Sequence, residues 1–198
     1  MPPRSDFRLS DQDRCTLLAL ARRAISHVVF HLDFPDLPPS SGRLAEPRPA
    51  FVSVRCNGKL RGCIGRTSSD NTLAETVVQC AISAALQDPR FKPVGNEEMA
   101  GLQIEISVLS ELLPLSPCEI QVGAHGVLVI RDANRGLLLP QVAVERNWSA
   151  ERFLEEGCRK AGLALDAWRD PETKLYAFKT DVFSEAGLVA PAEEPIRI

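Results

Sequence analysis

The sequence predicts an α+β fold built from two successive units of the same order, hairpin, helix, strand, with antiparallel or mixed sheets and helices packed on them. Three observations predict it. Short apolar runs pair off around turn-forming residues, each pair is followed by a helical segment behind a capping residue, and each helical segment leads into a further strand-like run. Residue identity between the halves is low, so the repeat rests on the order of its elements.

Ser10 with Asp13 opens a helix in capping-box style, Asp standing in for the preferred Glu, and Leu17, Ala21, Ala24, Ile25, Val28 and Leu32 recur at helical spacing. Pro35, Pro38, Pro39, Pro47 and Pro49 with Gly42 permit neither helix nor ladder, which predicts a long surface connection. Residues 51–56 and 60–64 flank Asn57-Gly58, a pair suited to the positive φ angles of a type I′ turn. In that register Cys56 faces Lys59 and Cys63 faces Val52, which separates the two thiols and argues against a disulfide between them. Thr72 and Glu75 cap a second helix, with Leu73, Val77, Cys80, Ala81 and Ala84 on one face, stopped by Asp88-Pro89. Ile104, Ile106 and Val108 alternate with polar residues as a half-buried strand.

The second unit follows the same order. Residues 127–130 and 137–139 bracket a turn over 132–136, Ser149 starts a helix through Phe153, Leu154, Cys158 and Ala161 to Gly162, and residues 175–180 supply the closing strand. The acidic, proline-containing tail over 190–198 is expected to be loosely held. These elements set a domain over 10–185, with flexible ends at 1–9 and 186–198.

Composition bounds the function. A chain of 198 residues, 44% hydrophobic and 25% charged, is long enough for one sizeable core or two small fused ones. A formal net charge of -3 argues against nonspecific nucleic-acid binding, which needs a basic face. No apolar run reaches membrane-spanning length and the start lacks a signal-like stretch, so a cytoplasmic, membrane-free protein is expected. The six cysteines, at 15, 56, 63, 80, 118 and 158, form no C-x-x-C pair and have no companion histidine at zinc-finger spacing, so no metal is expected. Cys15, Cys80 and Cys158 fall in helical patterns, where a reduced cysteine acts as a small hydrophobe. His27 and His31, at i, i+4 on one helix face, have the spacing of a metal pair but no third ligand to complete it.

The candidate site lies in Leu60-Arg61-Gly62-Cys63-Ile64-Gly65. Glycine inside a strand marks a bulge or a close approach by backbone or ligand, and here Gly62 and Gly65 flank a thiol. Cys63 is a candidate nucleophile if Arg61 or His125 favours its thiolate; the competing role is a packed strand cysteine. His125, between Ala124 and Gly126, can project from a turn toward chemistry or serve as a hydrogen-bonded structural residue. Arg61 and Arg90 are a candidate anion-binding pair, because planar guanidinium forks match carboxylate or phosphate. The alternative for Arg90 ties two loops together through carbonyls or Asp88, and Asp88 itself has the ordinary role of accepting bonds from its turn. Trp148, just before the Ser149 cap, reads as a packing anchor.

Phe51-Val52-Ser53-Val54, the R-G-C-I-G run, Ala85-Leu86-Gln87-Asp88-Pro89-Arg90-Phe91, Val122-Gly123-Ala124-His125-Gly126-Val127 and Leu139-Pro140-Gln141-Val142-Ala143 with Trp148 after it resemble, in that order, the AMMECR domain family. Within it the chain looks like the single-domain bacterial type, protein A of the AmmeMemoRadiSam system. Gln141 stands where an acidic residue is common, Leu138 where tyrosine is usual, and Lys92 where proline often follows R-F. The resemblance implies an α+β domain of two unequal parts, with a Memo-like protein and a radical S-adenosylmethionine enzyme as companions. It brings no established reaction. The chain has no radical-enzyme cysteine motif, so no cofactor is expected here and any iron-sulfur chemistry belongs to the companion. Two roles follow. One is a binding or accessory module that presents the R-G-C-I-G surface to a partner; the other is an enzyme that uses Cys63 and His125 on an anionic substrate held by Arg61 and Arg90.

Overall fold

In this computed structural model, residues 7–32, 41–68 and 70–187 are described. The expectations for Pro35, Pro38 and Pro39, and for the ends over 1–6 and 188–198, lie outside the described residues. The described residues divide into two compact units, those up to residue 108 together with 181–187, and residues 109–180.

In the first unit Ser10 caps α1 (Asp11–Val29), its hydroxyl accepting the N–H of Asp13 at 3.1 Å. The helix stops earlier than the spacing predicts. His31 adopts φ 54° and the Leu32 N–H closes back on the His27 carbonyl at 2.9 Å, a left-handed end that leaves Leu32 exposed. His27 and His31 therefore do not share a helix face, and their i, i+4 metal spacing does not exist in the fold. Packing also begins before residue 10. Leu9 is buried, and its N–H donates to Asp181 at 2.9 Å.

Strands β1 (Ala50–Cys56) and β2 (Lys59–Arg66) meet at Asn57 and Gly58, with φ 51° and 77°, the type I′ turn that the dipeptide predicts. A full capping box between Thr72 and Glu75 starts α2 (Leu73–Leu86). With β3 (Leu102–Leu109) and β8 (Thr180–Ser184) the hairpin forms a sheet of order β2-β1-β3-β8. The core joins Leu17 and Ile25 of α1, Val77 and Ala81 of α2, Val52 and Val54 of β1 and Ile104 and Ile106 of β3. The helix pairs are spaced by eight residues on α1 and four on α2, and the strand pairs by two, so each pair shares one face of its element.

The second unit holds β4 (Leu113–Pro114), β5 (Gly126–Arg131), β6 (Asn134–Leu138), α3 (Pro140–Glu145), α4 (Ala150–Lys160) and β7 (Lys174–Phe178), with sheet order β4-β7-β5-β6. Three details differ from the expectation. Asp132 takes φ 52° in a tight two-residue turn, so β6 begins at Asn134 rather than at 137. The short helix α3, started by Pro140 at its first position, was not foreseen. The closing strand breaks at Lys179, and the chain beyond it supplies β8 to the first sheet. Around α4, Phe153, Leu154 and Cys158 form the core with Val127 and Val129, and Trp148 packs against it as expected.

The repeat is visible in the topology. The orders β2-β1-β3 and β6-β5-β7 are the same, and the described pairings within them are antiparallel. Each hairpin also carries one glycine against its helix: Gly62 lies opposite Val54, with Ala84 O of α2 at 1.8 Å from the place of a Cβ, and Gly136 lies opposite Val129, with Gly157 O of α4 at 2.3 Å. Among the described residues no helix is long and apolar enough to cross a membrane.

Candidate functional site

The register of the first hairpin changes inside the R-G-C-I-G run. Arg55 pairs with Leu60 and Val54 with Gly62, which leaves Arg61 as the extra residue of a β-bulge. Cys63 consequently stands opposite Ser53, and the expected pairing with Val52 belongs to Ile64. Cys56 does face Lys59. A regular ladder places Gly62 elsewhere; the bulge sets it beneath the α2 carbonyl, where no side chain fits.

Both glycines have packing reasons. At Gly65 an added Cβ would fall 2.1 Å from the Phe51 ring, which lies across the strand where a side chain is missing. In this structure the close approach is made by a helix at Gly62 and by an aromatic ring at Gly65.

Arg61 is engaged from within. Its Nε and Nη2 donate to the two oxygens of Glu98, the latter at 2.9 Å, and Nη2 also donates to the Lys92 carbonyl at 3.2 Å. Glu98 lies in the 3-10 turn Asn96–Gly101 and also accepts the Gly95 N–H at 3.1 Å. The Arg61 guanidinium, helped by that N–H, lowers the Glu98 carboxyl to about 2, and Glu98 in turn raises Arg61.

Asp88 follows the end of α2, is 4% exposed, and accepts a bond from its own turn as expected while also reaching the strand beside it. Its Oδ2 accepts the Cys63 N–H at 2.9 Å and Arg90 Nη2 at 2.6 Å; its Oδ1 accepts the Arg90 N–H at 3.1 Å and Nε at 2.9 Å. Arg90 Nη2 also donates to the Cys63 carbonyl at 3.3 Å. Thus the loop after α2 binds both backbone groups of Cys63, one through a carboxylate and one through a guanidinium. Since β2 is an edge strand, this clamp does for Cys63 what a neighbouring strand would otherwise do. The Arg90 side chain and the Cys63 N–H hold the Asp88 carboxyl well below the usual carboxylate range.

The Cys63 thiol is half-buried, and its sulfur accepts the Ser53 hydroxyl at 3.2 Å. Ser53 lies between Cys63 on one side and Glu105 on the other in cross-strand register. Two other thiols differ: burial pushes Cys80 up to about 11 and raises Cys158 as well.

Arg61, Gly62, Cys63, Gly65, Asp88 and Arg90 therefore belong to one structural neighbourhood of the first unit. His125 belongs to the second, where its Nδ1 accepts the Gln121 N–H at 3.3 Å and its own N–H donates to the Gln121 carbonyl at 2.9 Å. Its local task is to close that turn. Sequence reasoning missed Ser53, Glu98 and Phe51. The alternation in β1 could have placed Ser53 and Phe51 on the outer face, whereas nothing in the sequence links Glu98 to Arg61. Among the described residues no group of three histidine, cysteine or acidic side chains is arranged to hold a metal ion.

The chain has relatives. The AMMECR1 family model matches residues 18–183. A protein of Methanothermobacter thermautotrophicus is 42% identical over 189 residues, spanning 90% of this chain and 97% of its own, and a protein of Thermococcus kodakarensis is 40% identical over 193 residues, spanning 90% and 93%. The crystal structure of the uncharacterized protein PH0010 from Pyrococcus horikoshii superposes with a TM-score of 0.80 at 38% identity, covering 89% of this chain and 93% of that one. With the family model spanning both hairpin units and identities of this size along nearly the whole fold, the chain belongs to the AMMECR1 family.

Proposed function

We propose that this domain is a binding or accessory module that works with a Memo-like protein and a radical S-adenosylmethionine enzyme, offering the surface around Cys63 and Arg90 to a partner. The observation that carries this reading is the clamp on Cys63. Asp88 and Arg90 spend their hydrogen bonds on fixing a strand backbone, and Arg61 spends its own on Glu98, so the neighbourhood is a preorganised, charge-balanced surface. Arg90 keeps 57% of its side chain exposed and so can still reach a partner. The family resemblance supplies the companions; the cytoplasm is where such a system would operate.

Co-purification from the native host tests this. The Memo-like or radical enzyme is expected with the wild type and with Cys63→Ser, and lost with Arg90→Ala, each variant first shown folded by circular dichroism. Equal capture by all three, or by none, rejects the proposal.

One observation favours the enzyme reading instead. Cys63, Ser53 and Glu105 lie in register across three strands, a thiol, a hydroxyl and a carboxylate in one row, and the Ser53 hydroxyl donates to sulfur, a bond that would favour a thiolate nucleophile if substrate bound there. Under it Arg61 and Arg90 would meet an anionic substrate. Loss of host function in both Cys63→Ser and Glu105→Gln, with partner capture intact, would replace the module by this enzyme.

A further inference from the structure

We infer, resting on the module reading, that the free edge of β2 at Gly65, between Arg90 and Arg66, takes up a short, extended, acidic segment of a protein partner as an added strand. β2 is an edge strand, and Asp88 and Arg90 occupy the N–H and carbonyl of Cys63 on the side away from β1. Backbone groups alternate along an antiparallel ladder, so the N–H and carbonyl of Gly65, two residues on, point to that same side.

At Gly65 no clamp follows. Among the described residues no loop or side chain bonds its N–H or carbonyl. Gly65 is partly exposed, and because a glycine is all backbone, that exposure belongs to the backbone that a new strand would meet. The Phe51 ring stands where a Cβ would be, on the face of the sheet and not at its edge. Pairing with such an edge is an established mode of peptide recognition, in which main-chain bonds supply affinity and side chains supply choice.

Charge selects the occupant. Residues 55–66 and 88–98 carry six cations and three carboxylates, in a chain whose net charge is -3. Arg61 and Arg90 take Glu98 and Asp88, and Glu97 folds back over Gly95. Arg55, Lys59, Arg66 and Lys92 are left exposed, with no carboxylate paired to them among the described residues. Within the clamp the charges balance; around it they do not. Cations along an edge repel the same edge of a second copy and attract carboxylates, so the occupant is an acidic segment rather than another copy of this chain. Arg90 sits on the Cys63 carbonyl with 57% of its side chain exposed, and Arg66 follows Gly65 directly, so an added strand would bring its acidic side chains to guanidiniums at both ends of the free edge.

Nitrogen-15 spectra of the full chain, titrated with a blocked hexapeptide that alternates glutamate and valine, test this. Saturable movement of the Gly65 and Arg66 amide signals is expected, with Gly136 in the other hairpin unmoved and a lysine-valine hexapeptide inactive. The glutamate peptide N-methylated at alternate residues keeps its charges but cannot pair as a strand, and should bind about tenfold more weakly, the scale of one or two lost hydrogen bonds. Arg66→Glu, which removes no internal ion pair, should weaken the parent peptide by about tenfold or more through like-charge repulsion. No saturable movement, equal binding of the lysine or N-methylated peptide, or tighter binding of a thymidine decanucleotide at the same signals would each overturn the edge as a site for an acidic strand. Capture of the companions keeps this apart from the module reading: equal capture by wild type and Arg66→Glu would overturn the edge and leave the module, whereas peptide binding at Gly65 with no companion captured would support the edge and reject the module.

Discussion

Asp88 holds Cys63 by its backbone, accepting its N–H at 2.9 Å from a carboxylate that is itself gripped by Arg90. The carboxylate is 2% exposed as a side chain while its guanidinium partner is 57% exposed, so the bonds are anchored on the buried side. Replacing Asp88 with Ala strips the bond from the strand edge and two from the guanidinium. A loss of about 2–3 kcal/mol is expected from urea denaturation, the range for hydrogen bonds to a charged group. A loss below about 0.5 kcal/mol, the size of an ordinary surface change, would show that the clamp is dispensable.

Acid should loosen the same neighbourhood. Glu98 and Asp88 both have folded values below their usual 4.5 and 3.8, so the folded chain binds fewer protons than the unfolded one at low pH. Their contribution is fully present above about pH 5 and is lost as pH falls, through about 2 for Glu98 and lower still for Asp88. Denaturation midpoints are therefore expected to fall between pH 5 and pH 2.5, and to fall less in Glu98→Gln. Equal slopes in wild type and variant would remove Glu98 from the account.

The glycines should rank by what stands in their way. Gly62→Ala drives a methyl into the Ala84 carbonyl of α2, a backbone atom that cannot step aside, and is expected to cost about 2–3 kcal/mol, at the upper end for overpacking. Gly65→Ala meets the Phe51 ring, whose side chain can rotate away, and should cost about 1 kcal/mol. Thermal unfolding of the two variants checks the order. A reversal would mean that α2 yields more readily than a phenylalanine ring.

These two glycines also show how far the sequence could be read. Their presence in a strand announced a bulge or a close approach, and both occur, but whether helix, ring or ligand makes the approach depends on tertiary packing. Caps and turns were legible because Ser10, Thr72, Ser149 and Asn57-Gly58 act within a few residues of themselves. Pairings across distance were not. No local signal reveals that Arg61 is the bulged residue, that it reaches Glu98, or that Asp88 turns inward to the Cys63 N–H. His31 was misplaced for a related reason: an apolar residue at helical spacing, Leu32, suggested continuation, while the solvated end of α1 had nothing to pack it against.

Alkylation of Cys63 separates the module from covalent chemistry, provided that the right thiols are compared. Cys80 and Cys158 are buried and their thiols are pushed up by that burial, so any accessible cysteine would outpace them whatever its role. Cys15 and Cys118 are exposed and supply the fair reference. The Cys63 sulfur is half-buried and accepts a hydrogen bond from Ser53, which stabilises lone pairs on sulfur and shields it at the same time. As part of a binding surface it should react with iodoacetamide no faster than Cys15 or Cys118 near neutral pH, and Ser53→Ala should change that rate by less than about threefold. A nucleophile poised for chemistry would instead outrun both exposed thiols by about tenfold or more, as a lowered thiol pKa produces, and would lose that advantage in Ser53→Ala. Peptide-level mass spectrometry of the partly alkylated native protein reads all of these rates in one experiment, and fast, serine-dependent labelling at Cys63 would overturn the module.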